Sequence, residues 1–339
     1  MSFAPEGLRA IGKTALRVSQ LGFGAAPFGN LMAEVPDEAT RGSVDAALAA
    51  GIRYFDTAPF YGHGLSEHRL GEALRFRPRD SFVLSTKVGR LLKPDPQART
   101  PGPFVRTPPF GIEYDYTRDG AMRSIEDSLQ RMGLARIDIV FIHDVTAKWR
   151  GDALEESYRA AMSGAYRALA DLRTQGVIGA IGVGVNDVDI LRRFANDGDF
   201  DCFMLAGRYT LLDTTALPEL LPLCERKSIS ILLAAPYHSG ILASGAVAGA
   251  KFWYADAPPE ILDRVRKIEA VCARHGVTLQ AAATQFPLAH PAIASVAAGY
   301  RTPAEVAAAL AACRAPIPSS LWTDLKRDGL IDPAAPTPG

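Results

Sequence analysis

The chain has little of what would tie a protein to a membrane, a nucleic acid or an oxidising compartment. Four cysteines in 339 residues, at 202, 224, 272 and 313, are too few and too scattered for a disulfide framework or a CxxC pair. They read as buried, reduced thiols. Neither sign of charge is in excess, since 37 Lys and Arg face 37 Asp and Glu. A neutral chain has no field with which to collect phosphate backbones or anionic lipid, which argues against nucleic-acid and membrane partners. Long apolar runs are missing as well: the stretch 229–236 is the most apolar, far short of the roughly 20 residues a bilayer requires. Glu6 and Arg9 stand where the core of a secretory signal would be apolar, so the expected location is the cytoplasm.

What is present is a composition of 48% apolar and 22% charged residues, enough for a large buried core. Leu8–Ile11 and Ala15–Val18 flank Gly12-Lys13-Thr14 and predict a small amino-terminal hairpin. From there, short apolar runs alternate with amphipathic stretches. The predicted strands are Gln20–Gly24, Ile52–Asp56, Phe82–Lys87, Ile137–His143, Ile178–Val183, Cys202–Ala206, Ile229–Ala234 and Ile293–Ala297. Helical patterns fall between them near 37–50, 65–76, 119–133, 152–175, 187–196, 216–227, 258–275 with 278–289, and 303–312. Eight alternating units predict an α/β fold, a (β/α)8 TIM barrel over residues 1–339, with no composition shift that would mark a second domain.

One segment departs from the repeat. Residues 91–118 carry Pro94, Pro96, Pro101, Pro103, Pro108 and Pro109 among Phe104, Phe110, Tyr114 and Tyr116. They read as a long loop without secondary structure after the third strand, on the face where barrel active sites lie. Two roles stand open: a cover that lends Phe104, Phe110 or Tyr114 to a pocket wall, or a surface insertion for subunit contacts. The oligomeric state itself is left undetermined.

The glycine-rich stretches fail as phosphate-binding loops. Gly22–Gly29 has Pro27, and Gly182–Asn186 is followed by Asp187, where the third glycine of a dinucleotide fingerprint is required. There is no Walker loop and no HExxH, and His63, Glu67 and His68 match no zinc spacing, so no metal is expected. Polar residues at strand ends are more telling. Asp56, Lys87 and His143 end the second, third and fourth strands, and Tyr61 follows Asp56 by five residues, so one rim receives all four. A Lys ammonium beside a Tyr favours phenolate and lowers its pKa, Asp56 keeps that Lys charged, and His143 donates to a substrate oxygen.

These residues resemble the aldo-keto reductases. The resemblance rests on Leu21-Gly22-Phe23-Gly24 after the hairpin, Gly51–Ala58 with Tyr61-Gly62, Ser66-Glu67, Ser85-Thr86-Lys87, Asp138–His143 and Ile181–Asn186. It spans nearly the whole chain and implies a catalytic tetrad of Asp56, Tyr61, Lys87 and His143. It also implies a nicotinamide dinucleotide held at the barrel mouth without a Rossmann loop, by Asn186, Tyr237, Ser239, Gly240, Leu242, Gly299, Arg301 and Glu305. The chain departs from the family at Val185 and Ala206, where a Ser and a Gln usually hold the carboxamide, and near Ala234 and Ala235, where an aromatic usually stacks. Leu205–Leu212 with Ser239–Leu242 is similar to a branch that oxidises aldoses such as L-fucose, D-arabinose or L-galactose at C1, close to pyridoxal 4-dehydrogenases. A broad NADPH-dependent carbonyl reductase and a non-catalytic, cofactor-binding barrel are the other readings. The 2′-phosphate contacts of NADP users fall on Gly299 and Glu305, so the resemblance implies NAD, with Arg301 keeping NADP open.

Overall fold

A computed structural model describes residues 3–98 and 102–339. Two short antiparallel strands, β1 (Leu8–Ala10) and β2 (Arg17–Ser19), form the expected hairpin. It closes one end of the barrel, because Ile11 and Val18 are fully buried against Tyr54, Ile139, Phe141 and Cys202 of the barrel interior.

Eight parallel strands then close on themselves. They are β3 (Leu21–Gly24), β4 (Tyr54–Asp56), β5 (Val83–Val88), β8 (Ile139–His143), β9 (Ala180–Val185), β10 (Cys202–Ala206), β11 (Ser230–Ala234) and β14 (Ile293–Gly299). Each adjoins its sequence neighbours in the barrel, and β14 pairs with β3 to complete the ring. The strands are apolar on both faces, as a parallel sheet covered by helices requires. Amphipathic helices such as Asp37–Ala49, Arg118–Met132 and Val188–Asp197 turn their apolar stripes onto the outer face and make the larger of two core clusters.

The long insertion has more structure than its prolines suggest. Strand β6 (Arg90–Pro94) pairs antiparallel with β7 (Phe110–Tyr114), so the insertion is a hairpin whose distal part crosses the barrel mouth. Pro94 ends β6, and Pro96, Pro103, Pro108 and Pro109 lie between the strands, where no ladder N–H is needed; Pro101 lies outside the described residues. A second small hairpin, β12 (Lys251–Phe252) with β13 (Ala255–Asp256), rises from the connection after β11. Its two-residue turn is Trp253-Tyr254, both at positive φ (50° and 67°). Bulky residues seldom occupy that region, so the turn holds both rings in a costly conformation over the mouth. Among the described residues, no helix is long and apolar enough to cross a membrane.

Candidate active site

Strand ends determine where the polar groups meet. Asp56 closes β4, Lys87 lies one residue before the end of β5, and His143 closes β8, so neighbouring parallel strands deliver all three to the carboxyl-end rim. Lys87 Nζ donates to Asp56 Oδ1 at 2.8 Å, to Asp56 Oδ2 at 2.7 Å and to the Thr57 carbonyl at 2.8 Å. Ser85 Oγ donates to Asp56 Oδ1 at 2.6 Å. The pair is buried; burial pushes Asp56 up and Lys87 down, and each partner's charge opposes the other's shift.

Tyr61 reaches the same rim through a close backbone approach. A Cβ on Gly29 would lie 2.5 Å from Tyr61 C and Gly62 N, and one on Gly62, at φ +63°, would lie 2.4 Å from Gly29 Cα. The glycine-rich segment after β3 is thus a packing surface for the Tyr61 turn, which is why its spacing fails as a phosphate loop. Lys87 Nζ lies 4.7 Å from the centre of the Tyr61 ring, and the Tyr61 and His143 rings meet edge to face at 6.1 Å.

The expected lowering of the Tyr61 pKa is not what this geometry produces. Burial first, and the Asp56 carboxylate second, hold the phenol well above its ordinary value. The Lys87 ammonium donates its protons to Asp56 and Thr57, while the Asp56 carboxylate adds to the upward shift that burial of the ring sets. Tyr61 is consequently a phenol, a proton donor, across the neutral range. Burial, with Arg90 and Lys87 adding to it, drives the His143 pKa well below the ordinary imidazole value. His143 is a neutral ring that donates a single N–H.

The sequence reading missed several groups around this rim. Arg90, 1% exposed, lies with its guanidinium carbon 4.1 Å from the Phe60 ring centre and 4.5 Å from that of Trp149. It donates through Nη2 to Asp144 Oδ2 at 2.8 Å. Trp149, Trp253 and Tyr254 also line the mouth. Arg90 interrupts an apolar stretch after Gly89, and Asp144 directly follows His143; those interruptions were the available signals.

Together these groups border a cavity of about 500 Å³ that includes Phe60, Tyr61, Lys87, His143, Asp144 and Asn186. From the insertion, Phe104 lines it, whereas Phe110 and Tyr114 do not. Tyr114 instead stacks against Arg150 at 4.1 Å. A second cavity of about 220 Å³ adjoins the first, sharing Tyr61, Ala206, Ala234, Ala235 and Tyr254. Tyr237, Ser239, Gly240, Gly299 and Arg301 line it.

The lining of this second cavity suits a flat ring and an anionic group, as parts of a dinucleotide present. Its floor, Gly24, Ala206, Ala234 and Ala297, leaves room for a flat ring against the strand ends. Arg301, with Nη2 on the Leu31 carbonyl at 3.1 Å, keeps a buried Nε without a partner, an arrangement suited to an anionic group. Tyr237 is fixed by a 2.8 Å hydrogen bond to Thr284 Oγ1, and Ser239 Oγ accepts from the Tyr254 amide at 2.9 Å. Two of the residues named from sequence lie elsewhere. Leu242 is wholly buried in the outer core, because the turn at Ser239-Gly240 sends the following helix inward. Glu305 borders neither cavity and accepts from the Arg301 amide at 2.6 Å, beside the Thr302 cap of the helix Pro303–Arg314.

Other polar groups have structural partners. Glu67 accepts from Thr86 Oγ1 and pairs with Arg131, and His63 Nδ1 contacts the Phe110 carbonyl. Among the described residues there is no cluster of three side chains able to hold a metal ion.

Comparison with known proteins agrees with the geometry. The aldo/keto reductase family profile matches residues 20–327. A pyridoxal 4-dehydrogenase from Microbacterium luteolum is 40% identical over 334 residues, covering 95% of this chain and 97% of that protein. A D-threo-aldose 1-dehydrogenase from a Pseudomonas species is 40% identical over 335 residues, covering 97% and 98%. The solved holo structure of an aldo-keto reductase from Bacillus halodurans superposes with a TM-score of 0.74 at 25% identity, covering 97% of each chain. A closed parallel barrel, a Tyr-Lys-Asp-His rim and matches of this extent make the chain an oxidoreductase of the aldo/keto reductase family.

Proposed function

We propose that the enzyme oxidises an aldose at C1 to the lactone, with Tyr61 exchanging the proton, and that NAD is its preferred dinucleotide. The observation that carries this reading is the position of Tyr61, over Lys87 and beside His143, on the wall shared by both cavities. A cavity of about 500 Å³ lies within the range of small-ligand sites. The similarity to a D-threo-aldose 1-dehydrogenase supports the substrate class.

In the oxidative direction the anomeric hydroxyl gives its proton to Tyr61 as phenolate, while the C1–H bond breaks with its electron pair. A nicotinamide held along the second cavity would supply the hydride acceptor. The neutral His143 donates its N–H to the reacting oxygen and fixes it beside Tyr61. Closure of the C1=O bond yields the lactone, whose later hydrolysis draws the reaction forward.

NAD preference rests on the Glu305 carboxylate, which borders neither cavity but accepts from the amide of Arg301, the residue that lines the second one. From there its charge opposes a ribose phosphate at a distance, without touching the ribose.

The pocket walls favour a second reading. Phe60, Phe104, Trp149 and Trp253 present aromatic surface suited to a flat ring, and a pyridoxal 4-dehydrogenase is as similar as the aldose enzyme. A single assay distinguishes the readings: dinucleotide reduction with L-fucose, D-arabinose, L-galactose and pyridoxal, using NAD and NADP in turn. Highest kcat/KM for a sugar with NAD is expected. Faster turnover of pyridoxal, or aldehyde reduction with NADPH outrunning every oxidation, would replace the aldose reading.

A further inference from the structure

Beside His143 lies a second carboxylate that the proton chemistry does not use. Asp144 follows directly on the end of β8, at φ +53°, with its amide donating to the Gly184 carbonyl at 3.1 Å. Asp tolerates this left-handed conformation better than most side chains, and here it turns the carboxylate back toward the cavity instead of letting it run on to the surface. Oδ2 takes the Arg90 N–H at 2.8 Å and lies 3.5 Å from His143 Nε2. Oδ1 accepts no hydrogen bond among the described residues and is not sealed from the cavity that Asp144 lines.

Arg90 is what makes this a built feature. Its side chain is 1% exposed and clasped between Phe60 and Trp149. Among the described residues its Nε and Nη1 are buried without partners, an expensive arrangement for a guanidinium whose one ionic contact there is Asp144. A protein that needed only packing at this place would be served as well by an apolar side chain. The pair is retained where a carboxylate of fixed direction has a use.

The reacting oxygen of the substrate lies at His143 and Tyr61. Asp144 Oδ2, taken by Arg90, lies 3.5 Å from His143 Nε2, which leaves Oδ1 of the same carboxylate to face a substituent on the carbon adjoining the one whose oxygen His143 holds.

We propose that Asp144, held by the buried Arg90, accepts a hydrogen bond from the hydroxyl on the carbon next to the reacting one, and so selects 2-hydroxylated aldoses. The assignment rests on the aldose reading above. It makes Asp144 a specificity residue that touches substrate and Arg90 a positioning residue that acts through it. No new covalent step is involved; a carboxylate replaces the water that would otherwise solvate this hydroxyl.

The test compares L-fucose, D-arabinose and L-galactose with their 2-deoxy counterparts, using NAD. For the unaltered enzyme, kcat/KM is expected to fall roughly 10- to 100-fold on loss of the hydroxyl, the discrimination of a hydrogen bond to a charged group. Asp144→Asn should compress that ratio toward unity, mainly through loss of the hydroxylated substrate. A purely structural Asp144 would lower both substrates together and leave the ratio where it was. Because an unpaired Arg90 could unfold the single variant, Arg90→Met/Asp144→Leu replaces both charges by apolar groups and should compress the ratio equally. Equal use of sugar and 2-deoxy sugar by the unaltered enzyme overturns the inference and leaves the aldose reading intact. Turnover of pyridoxal with none of the sugars overturns both.

Discussion

The two sides of the barrel mouth solve opposite problems. Over β4, β5 and β8 the rim is crowded with polar groups that bind one another: Lys87 to Asp56 and Thr57, Ser85 to Asp56, Arg90 to Asp144. Over β10, β11 and β14 the rim is nearly bare, lined by Ala206, Ala234, Ala297 and Gly299. The first side works by what its side chains do. The second works by what its side chains leave free. Proton transfer needs atoms held within hydrogen-bond reach, whereas a flat ligand needs a cleared floor and a few fixed contacts, a role proposed for Arg301. Tyr61 belongs to both, since it lines each cavity.

The largest effect is expected on the polar side, at Tyr61, the group proposed to exchange the proton. Tyr61→Phe should lower kcat by about 10²- to 10⁴-fold while dinucleotide affinity, read by fluorescence titration, stays within a few-fold. Unchanged turnover would mean that the rim is structural and the proton goes elsewhere. Its pH profile sharpens the point. Because the Tyr61 pKa is raised, the phenol is protonated at neutral pH, so oxidation, which needs phenolate, should accelerate steadily into the alkaline range. Reduction, which needs the phenol, should stay flat over the same span.

Lys87→Met comes next. It strands the Asp56 carboxylate in a buried site, and breaking such a pair by removing one partner costs about 3–5 kcal/mol, visible as a lowered midpoint in denaturant. Asp56, no longer neutralised, should also push the Tyr61 pKa higher, moving the oxidation profile further alkaline. Lys87→Met/Asp56→Leu should recover most of the stability and none of the activity. A single variant as stable as the parent would show that the polar side is less tightly coupled than its distances indicate.

The bare side is probed by filling it. Ala234→Leu should weaken dinucleotide binding by about tenfold or more, equivalent to roughly 1.4 kcal/mol, with little effect on the tetrad. If calorimetry finds affinity unchanged, the floor of the second cavity is not where the ring lies. The smallest effect is expected at Glu305→Gln, which should shift the NAD to NADP preference by a few-fold toward NADP, since one exposed-edge charge at a helix start contributes about 0.3–1 kcal/mol. A shift in the opposite sense would remove Glu305 from dinucleotide selection.

The same division explains what could be read without a structure. Strand β4 was expected at Ile52–Asp56 and runs from Tyr54 to Asp56; β8 was expected at Ile137–His143 and runs from Ile139. Those ends are legible because an apolar run stopped by a polar residue is a local signal, and here the stopping residues are Asp56 and His143 of the candidate site. The helix expected over 152–175 is broken by a widened turn at Ala161–Ala165, where Gly164 lies against the Tyr116 carbonyl. That contact joins residues nearly fifty apart, and nothing local announces it. The insertion was read as structureless for the same reason: β6 and β7 pair across a long gap, and their prolines obscure the alternation.

From the sequence alone came the eightfold repeat, the hairpin before it, and the identity of Asp56, Tyr61, Lys87 and His143, because each depends on residue type and spacing along the chain. Tertiary structure decided the rest. It set the direction of the Tyr61 pKa shift, which follows first from burial of the ring and second from the Asp56 carboxylate. It placed Leu242 in the core and turned Glu305 onto the Arg301 amide. It also clamped Arg90 between two aromatic rings so that Asp144 faces the cavity. Charge, burial and direction belong to neighbours in space, and a one-dimensional string does not say which residues those are.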